Sequence, residues 1–242
     1  MKCIYLATFL AFGGPVAAAD APPAFTSSSD SYSAVPDTNL KVPESGTIRV
    51  AIVISDKFNL MDLAGPLHTF AKVQLPPYGD DGKWPFKTFT VAETRKPVTS
   101  YGNLQVTPNY TFADAPDADI VVVGAQSGGD ESYLGYLRRM SAHDKVVMSV
   151  CTGVAQLAKA GLLDGKVATT HHNYVDKLGR GYPKVKFMPD LAYVRSAPLL
   201  FTAGGETSGI ELSLHIIELY YGHDVAVRTA RSMEYRGPRW QG

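Results

Sequence analysis

The sequence predicts an α/β fold with a parallel sheet covered on both faces by helices. Three observations carry this. Short, β-branched, near-continuous apolar runs recur along the chain, the pattern of strands buried on both faces. Segments with helical spacing separate them, as crossovers between parallel strands require. The side chains best suited to chemistry fall at turns after those runs, on the edge of such a sheet where ligands bind.

The first run is Ile48 to Ile54. Helical spacing follows from Leu63 to Val73, then a polar loop punctuated by Pro and Gly from Gln74 to Pro85. Phe86 to Ala92 reads as the second strand, and Val98 to Val106, broken at Gly102-Asn103, as a hairpin or paired short strands. Ile120 to Val123 is another buried strand, Glu131 to Met140 an amphipathic helix, and Lys145 to Ser149 the next strand. Gly153 to Ala160 is helical and stops at Gly161. Short strands are expected near Val185-Phe187, Ala192-Val194 and Leu199-Phe201. Ser208 to Tyr221 and Asp224 to Met233 are the last helices. There is no internal repeat, so residues 47–242 read as one domain.

With 45% hydrophobic residues in 242, the chain can bury one full core. The 23 basic residues are matched by 23 acidic ones, which disfavours a general nucleic-acid or anionic-membrane binder. Two cysteines cannot build a disulfide scaffold.

Residues 1–19 have the layout of an export signal. Met1-Lys2 supplies a positive start, Ile4 to Phe12 an apolar run too short to span a bilayer, and Val16 to Ala19 the small residues before a cut at Asp20. The expected location is therefore periplasmic or secreted, with no membrane anchor after cleavage. Residues 20–46, rich in Pro, Ser, Ala and Asp, read as a mobile or surface-wrapped linker. Cleavage removes Cys3 and leaves Cys151 as the single cysteine, either buried and inert or a reactive thiol.

Placement favours the second. Cys151 joins a buried strand to a helix, the geometry of a nucleophile elbow, where the sulfur is expected to be exposed. The following helix start is expected to lower the thiol's pKa. Four other segments stand out. In Asp62-Leu63-Ala64-Gly65-Pro66, Asp62 alone would read as a helix N-cap, with Pro66 in the first turn. Gly128 and Gly129 let backbone approach a ligand and aim N–H groups at a developing anion, or simply form a turn. His171 and His172 lack a metal-ligand pattern, so no metal is expected. Residues 202–209 are a glycine-rich helix entry that matches neither a dinucleotide fingerprint nor a P-loop.

Together, Asp-x-x-Gly-Pro, Gly-Gly, Ser-Val-Cys-Thr-Gly, the run from Ala160 to His171, and Ala-Gly-Gly-x-Thr-Ser-Gly-Ile resemble the ThiJ/PfpI superfamily, which is class I glutamine amidotransferase-like. The branch is that of isonitrile hydratases and the sensing domains of AraC-type regulators. The resemblance implies a flavodoxin-like three-layer sandwich and a homodimer. It makes Cys151 the nucleophile, Asp62 the residue that handles protons beside it, and Thr152 the neighbour found in the hydratase. It places Gly128 in the anion-pocket loop and His171 near the pocket, as a proton shuttle or a loop-orienting residue. Protease-like members carry His where Thr152 stands. Glu206 replaces a smaller or apolar residue, which implies a more polar pocket.

The implied function is hydration of small isonitriles to N-substituted formamides, with no cofactor and a small molecule as the substrate partner. The alternatives are an exported sensing or binding module, and a stress protein that oxidises Cys151 reversibly. The chain stops at Gly242 without the helix-turn-helix region of the regulators, so no nucleic-acid partner is expected.

Overall fold

The computed structural model of the chain describes residues 31–36, 38–79 and 81–237. The expected signal segment and residues 20–30 of the expected linker lie outside them.

The framework is an eight-stranded sheet. In chain order its strands are β1 (Ser31–Ser33), β2 (Ile48–Val53), β3 (Phe86–Ala92), β6 (Tyr110–Thr111), β7 (Ile120–Val123), β8 (Val146–Ser149), β11 (Tyr193–Ala197) and β12 (Leu200–Ala203). Their spatial order is β1-β11-β12-β8-β7-β2-β3-β6. The six strands from β12 to β6 are mutually parallel, while β11 pairs antiparallel with β12 and carries β1 with it. The mainly parallel sheet inferred from the sequence is therefore present, with a reversed pair on one edge.

Alternation explains both covered faces. Along β2, Ile48, Val50 and Ile52 pack with α1 (Leu60–Ala71), α5 (Ser208–Tyr221) and α6 (His223–Ser232). Ala51 and Val53 of the same strand pack on the other face, with α2 (Glu131–Ala142) and α3 (Val154–Lys159). A strand buried on both sides has few polar positions to spare, which is why β2, β7 and β8 read as near-continuous apolar runs, broken only by the exposed Arg49 in β2 and by Ser149 at the end of β8. The three layers are those of a flavodoxin-like sandwich.

The smaller elements are less legible in the sequence. The expected hairpin, β4 (Val98–Thr99) with β5 (Gln105–Val106), is antiparallel, and it lies off the main sheet. A two-stranded parallel pair, β9 (Val167–Ala168) and β10 (Lys186–Phe187), flanks α4 (Val175–Gly181).

Two expectations are refined here. Of the two alternatives for residues 20–46, mobile or surface-wrapped, the described part follows the second: Ser31–Ser33 is an exposed edge strand paired with Tyr193, Val194 and Arg195. The same stretch is fastened further on: Leu40 N–H donates to Leu219 at 2.8 Å, and the buried Arg195 guanidinium donates to the Thr38 hydroxyl at 3.2 Å. Second, α1 begins at Leu60 rather than Leu63, because Asn59 is its N-cap and accepts from Met61 N–H at 2.8 Å. Asp62 therefore lies inside the first turn and does not cap the helix. Pro66 lies in the helix interior.

The chain passes from β3 and β6 on one side of β2 to β7 and β8 on the other. The strand order thus reverses between β2 and β7, the switch point at whose carboxyl ends sheets of this kind bind ligands. The loops after β2, β7, β8 and β12 converge there.

Candidate active site

Cys151 follows β8 directly. Its φ is +56°, in the left-handed region that a residue with a Cβ adopts only under constraint. Three bonds hold it: Val150 N–H to Val123 at 2.9 Å, Cys151 N–H to Gly204 at 2.8 Å, and the Thr170 hydroxyl to the Cys151 carbonyl at 3.0 Å. The next residue but one supplies clearance. A Cβ on Gly153 would fall 2.2 Å from the Val123 carbonyl oxygen, so only glycine lets this turn pass so close to the end of β7. This strained strand-to-helix turn is the elbow expected from the sequence.

The thiol itself differs from expectation. Cys151 is buried, with 5% of its surface exposed. Its pKa is pushed up to about 12, first by burial and then by the negative charges of Asp62 and Glu206; the Thr152 N–H and hydroxyl oppose this only in part. The expected exposed, low-pKa thiol is corrected. The helix after it begins as a single 3-10 turn, Cys151–Gly153, and continues only through Lys159, so its end charge is weak against two carboxylates.

Asp62 reaches the site from the first turn of α1. It is 1% exposed, and its Oδ2 accepts from Ala125 N–H at 2.7 Å, while Oδ1 is buried without a partner. Burial raises its pKa to about 7; the Ala125 bond pulls down against that, and Glu206 adds repulsion. A carboxyl poised near neutrality beside a protonated thiol can both take and return a proton.

Glu206 stands at the entry to α5, exposed, and accepts a 2.7 Å hydrogen bond from the Asn59 amide. Asn59 thus caps α1 with its oxygen and holds Glu206 with its nitrogen. The sequence reading missed this residue, although an Asn just before the Leu60-Met61-Asp62-Leu63 run is a helix-start signal. His171 is half-buried; its Nδ1 accepts from Asn173 N–H at 3.2 Å, and its ring stacks on His172 at 4.3 Å. Burial and the His172 charge lower its pKa, and Glu206 pulls the other way. Nδ1 is therefore occupied in capping the turn at His172–Tyr174.

The structure brings together Cys151, Thr152, Asp62, Glu206 and His171. The loop after β7 meets Asp62 through Gly124 and Ala125. Gly128 and Gly129 both have positive φ, and their neighbours are Ser55 and Tyr133 for the first, Gln156 and Lys159 for the second. Among the described residues no three His, Cys, Asp or Glu side chains form a metal-ligand group. A separate cleft along α2, lined by Glu93, Phe112, Tyr136, Arg139 and His143, includes none of these site residues.

Fold and site define a class: a three-layer α/β protein with a strained cysteine elbow one strand from the sheet's switch point and an acidic partner from the first helix. The DJ-1/PfpI family model matches residues 48–219, and the chain belongs to that family. An isonitrile hydratase of Pseudomonas putida is 33% identical over 193 residues, covering 78% of this chain and 78% of that protein. The HTH-type transcriptional regulator GbdR of Pseudomonas aeruginosa is 25% identical over 191 residues, which are 77% of this chain but 50% of the regulator. Among solved structures, a THiJ/PfpI family protein from Pseudomonas syringae superposes with a TM-score of 0.66 at 26% identity, covering 79% of this chain and 77% of that one.

Proposed function

We propose that the protein is a cysteine-dependent hydratase of small isonitriles, and that it acts as an exported homodimer. The observation that carries the chemistry is the pairing of Cys151 with Asp62, whose Oδ1 is buried and unpartnered. The likeness to an isonitrile hydratase names the reaction.

The steps balance. The Cys151 sulfur attacks the terminal carbon of R–N≡C as its proton passes to Asp62, and Asp62 returns that proton to the same carbon. The product is a thioimidate, R–N=CH–S–Cys151. Water adds to the thioimidate carbon, the C–S bond breaks, the thiol recovers its proton, and R–NH–CHO leaves. A thiol that stays protonated until substrate arrives suits this sequence, because ionisation is coupled to carbon–sulfur bond formation. The same raised pKa disfavours spontaneous oxidation of Cys151 and weakens the stress-protein reading.

The test is turnover. Purified protein incubated with cyclohexyl isonitrile should yield N-cyclohexylformamide, and Cys151→Ala should not. Tight, saturable isonitrile binding without formamide from the wild type would sink the enzyme reading. It would favour the second reading, a small-molecule sensing module, which the likeness to a transcriptional regulator supports.

A further inference from the structure

We infer that Glu206 is a recognition carboxylate, and that the natural ligand of this site carries a protonated amine beside the group that meets Cys151. The inference deepens the hydratase reading by naming a substrate class, and it rests on that reading only for the identity of the reacting carbon.

The argument is one of missing positive charge. Glu206 is exposed at the entry to α5, where Asn59 meets it. Among the described residues it accepts a hydrogen bond from Asn59 and forms no ion pair. Asn59 is itself held by Met61 N–H, so the amide presents the carboxylate in a fixed position without neutralising it. Asp62, whose carboxyl feels the repulsion of Glu206, also keeps a buried Oδ1 with no partner among the described residues. The two carboxyl groups beside the Cys151 sulfur, Asp62 and Glu206, both oppose its ionisation, and no cationic side chain among the described residues offsets them. An anionic ligand would be repelled by this pocket. A metal ion has no three-ligand group among the described residues to hold it. An ammonium group fits: it donates to Glu206 in a charge-assisted hydrogen bond and supplies the counter-charge the site lacks.

A catalytic consequence follows. A cation seated on Glu206 cancels part of the repulsion that opposes sulfur anion development, so a cationic ligand both binds and eases attack by Cys151. A neutral ligand of the same size does neither.

The experiment compares N-(3-aminopropyl)formamide with its neutral isostere N-butylformamide, by calorimetry on the full chain. The cationic probe should bind the wild type about tenfold tighter or more. Glu206→Gln should remove the preference, and Glu206→Asp, which keeps the charge, should retain part of it. Raising salt should shrink the wild-type preference, a measurement that needs no variant. Equal affinities in the wild type, or no binding of the cationic probe, would overturn the inference. A parallel assay with the corresponding isonitriles separates the two readings. Cation preference without turnover removes the hydratase and leaves the recognition site. Turnover with no preference for the cationic isonitrile does the reverse.

Discussion

Ala125 donates its backbone N–H to one oxygen of Asp62 at 2.7 Å, and the other oxygen has no partner although the residue is 1% exposed. One hydrogen bond therefore orients the carboxyl without quenching it. The residues come from opposite sides of the switch point, the loop after β7 and the first turn of α1. That arrangement makes Asp62 the most informative residue to change.

Asp62→Asn should fold, since the amide oxygen can keep the Ala125 bond. Turnover should fall by about 10²-fold or more, the scale of a lost general acid–base. Formamide production and melting temperature, measured together, check this. Near-full activity would remove the proton-transfer role.

The same substitution has a signed pH effect on stability. The Asp62 pKa rises from 3.8 to about 7 on folding, so the folded state holds its proton where the unfolded chain has lost it. Stability from that protonated carboxyl is present below pH 3.8 and is lost as pH rises to about 7. Relative to Asp62→Asn, the wild type should therefore weaken across that window, by an amount on the order of a few kcal/mol. Paired denaturant melts at the two ends of the window give the difference. A difference that stays constant contradicts it.

Alkylation of Cys151 by iodoacetamide should keep rising above about pH 8.5, the free-thiol value. Burial and two carboxylates hold the thiol protonated, and Glu206→Gln should speed the reaction at any fixed pH by removing one of them. A rate plateau below the free-thiol value would show that the elbow lowers the pKa after all.

Gly153→Ala should be severely destabilising, by about 3 kcal/mol or more, or should fail to fold. The new Cβ would meet backbone at 2.2 Å, and backbone cannot rotate away. Gly161→Ala is the control. It has φ +78° and no atom within 4 Å of an added Cβ, so it should cost about 1 kcal/mol through backbone strain alone. Urea midpoints of the two variants rank them.

Material from the native host should begin at or near Asp20. Intact mass or N-terminal sequencing reads this directly, and a retained Met1 on soluble protein would remove the proposal of export.

Much of this protein is determined by its sequence alone, where burial is two-sided and the signal dense. β2, β7 and β8 are mostly apolar on both faces, so their type and their places along the chain were legible without knowing any contact. The elbow was legible too, because a cysteine between such a strand and a glycine leaves few backbone solutions. The edge strand Ser31–Ser33 was not, since its residues are exposed and polar and its pairing partner lies far along the chain. Nor was the state of the thiol. Local sequence sees the helix start beside Cys151, whose field favours ionisation. Only the tertiary structure brings in Asp62 from α1 and Glu206 from the entry to α5, and then shuts out water. Charge and desolvation act through space and not along the chain, so the pKa of a side chain is decided by what folding places around it.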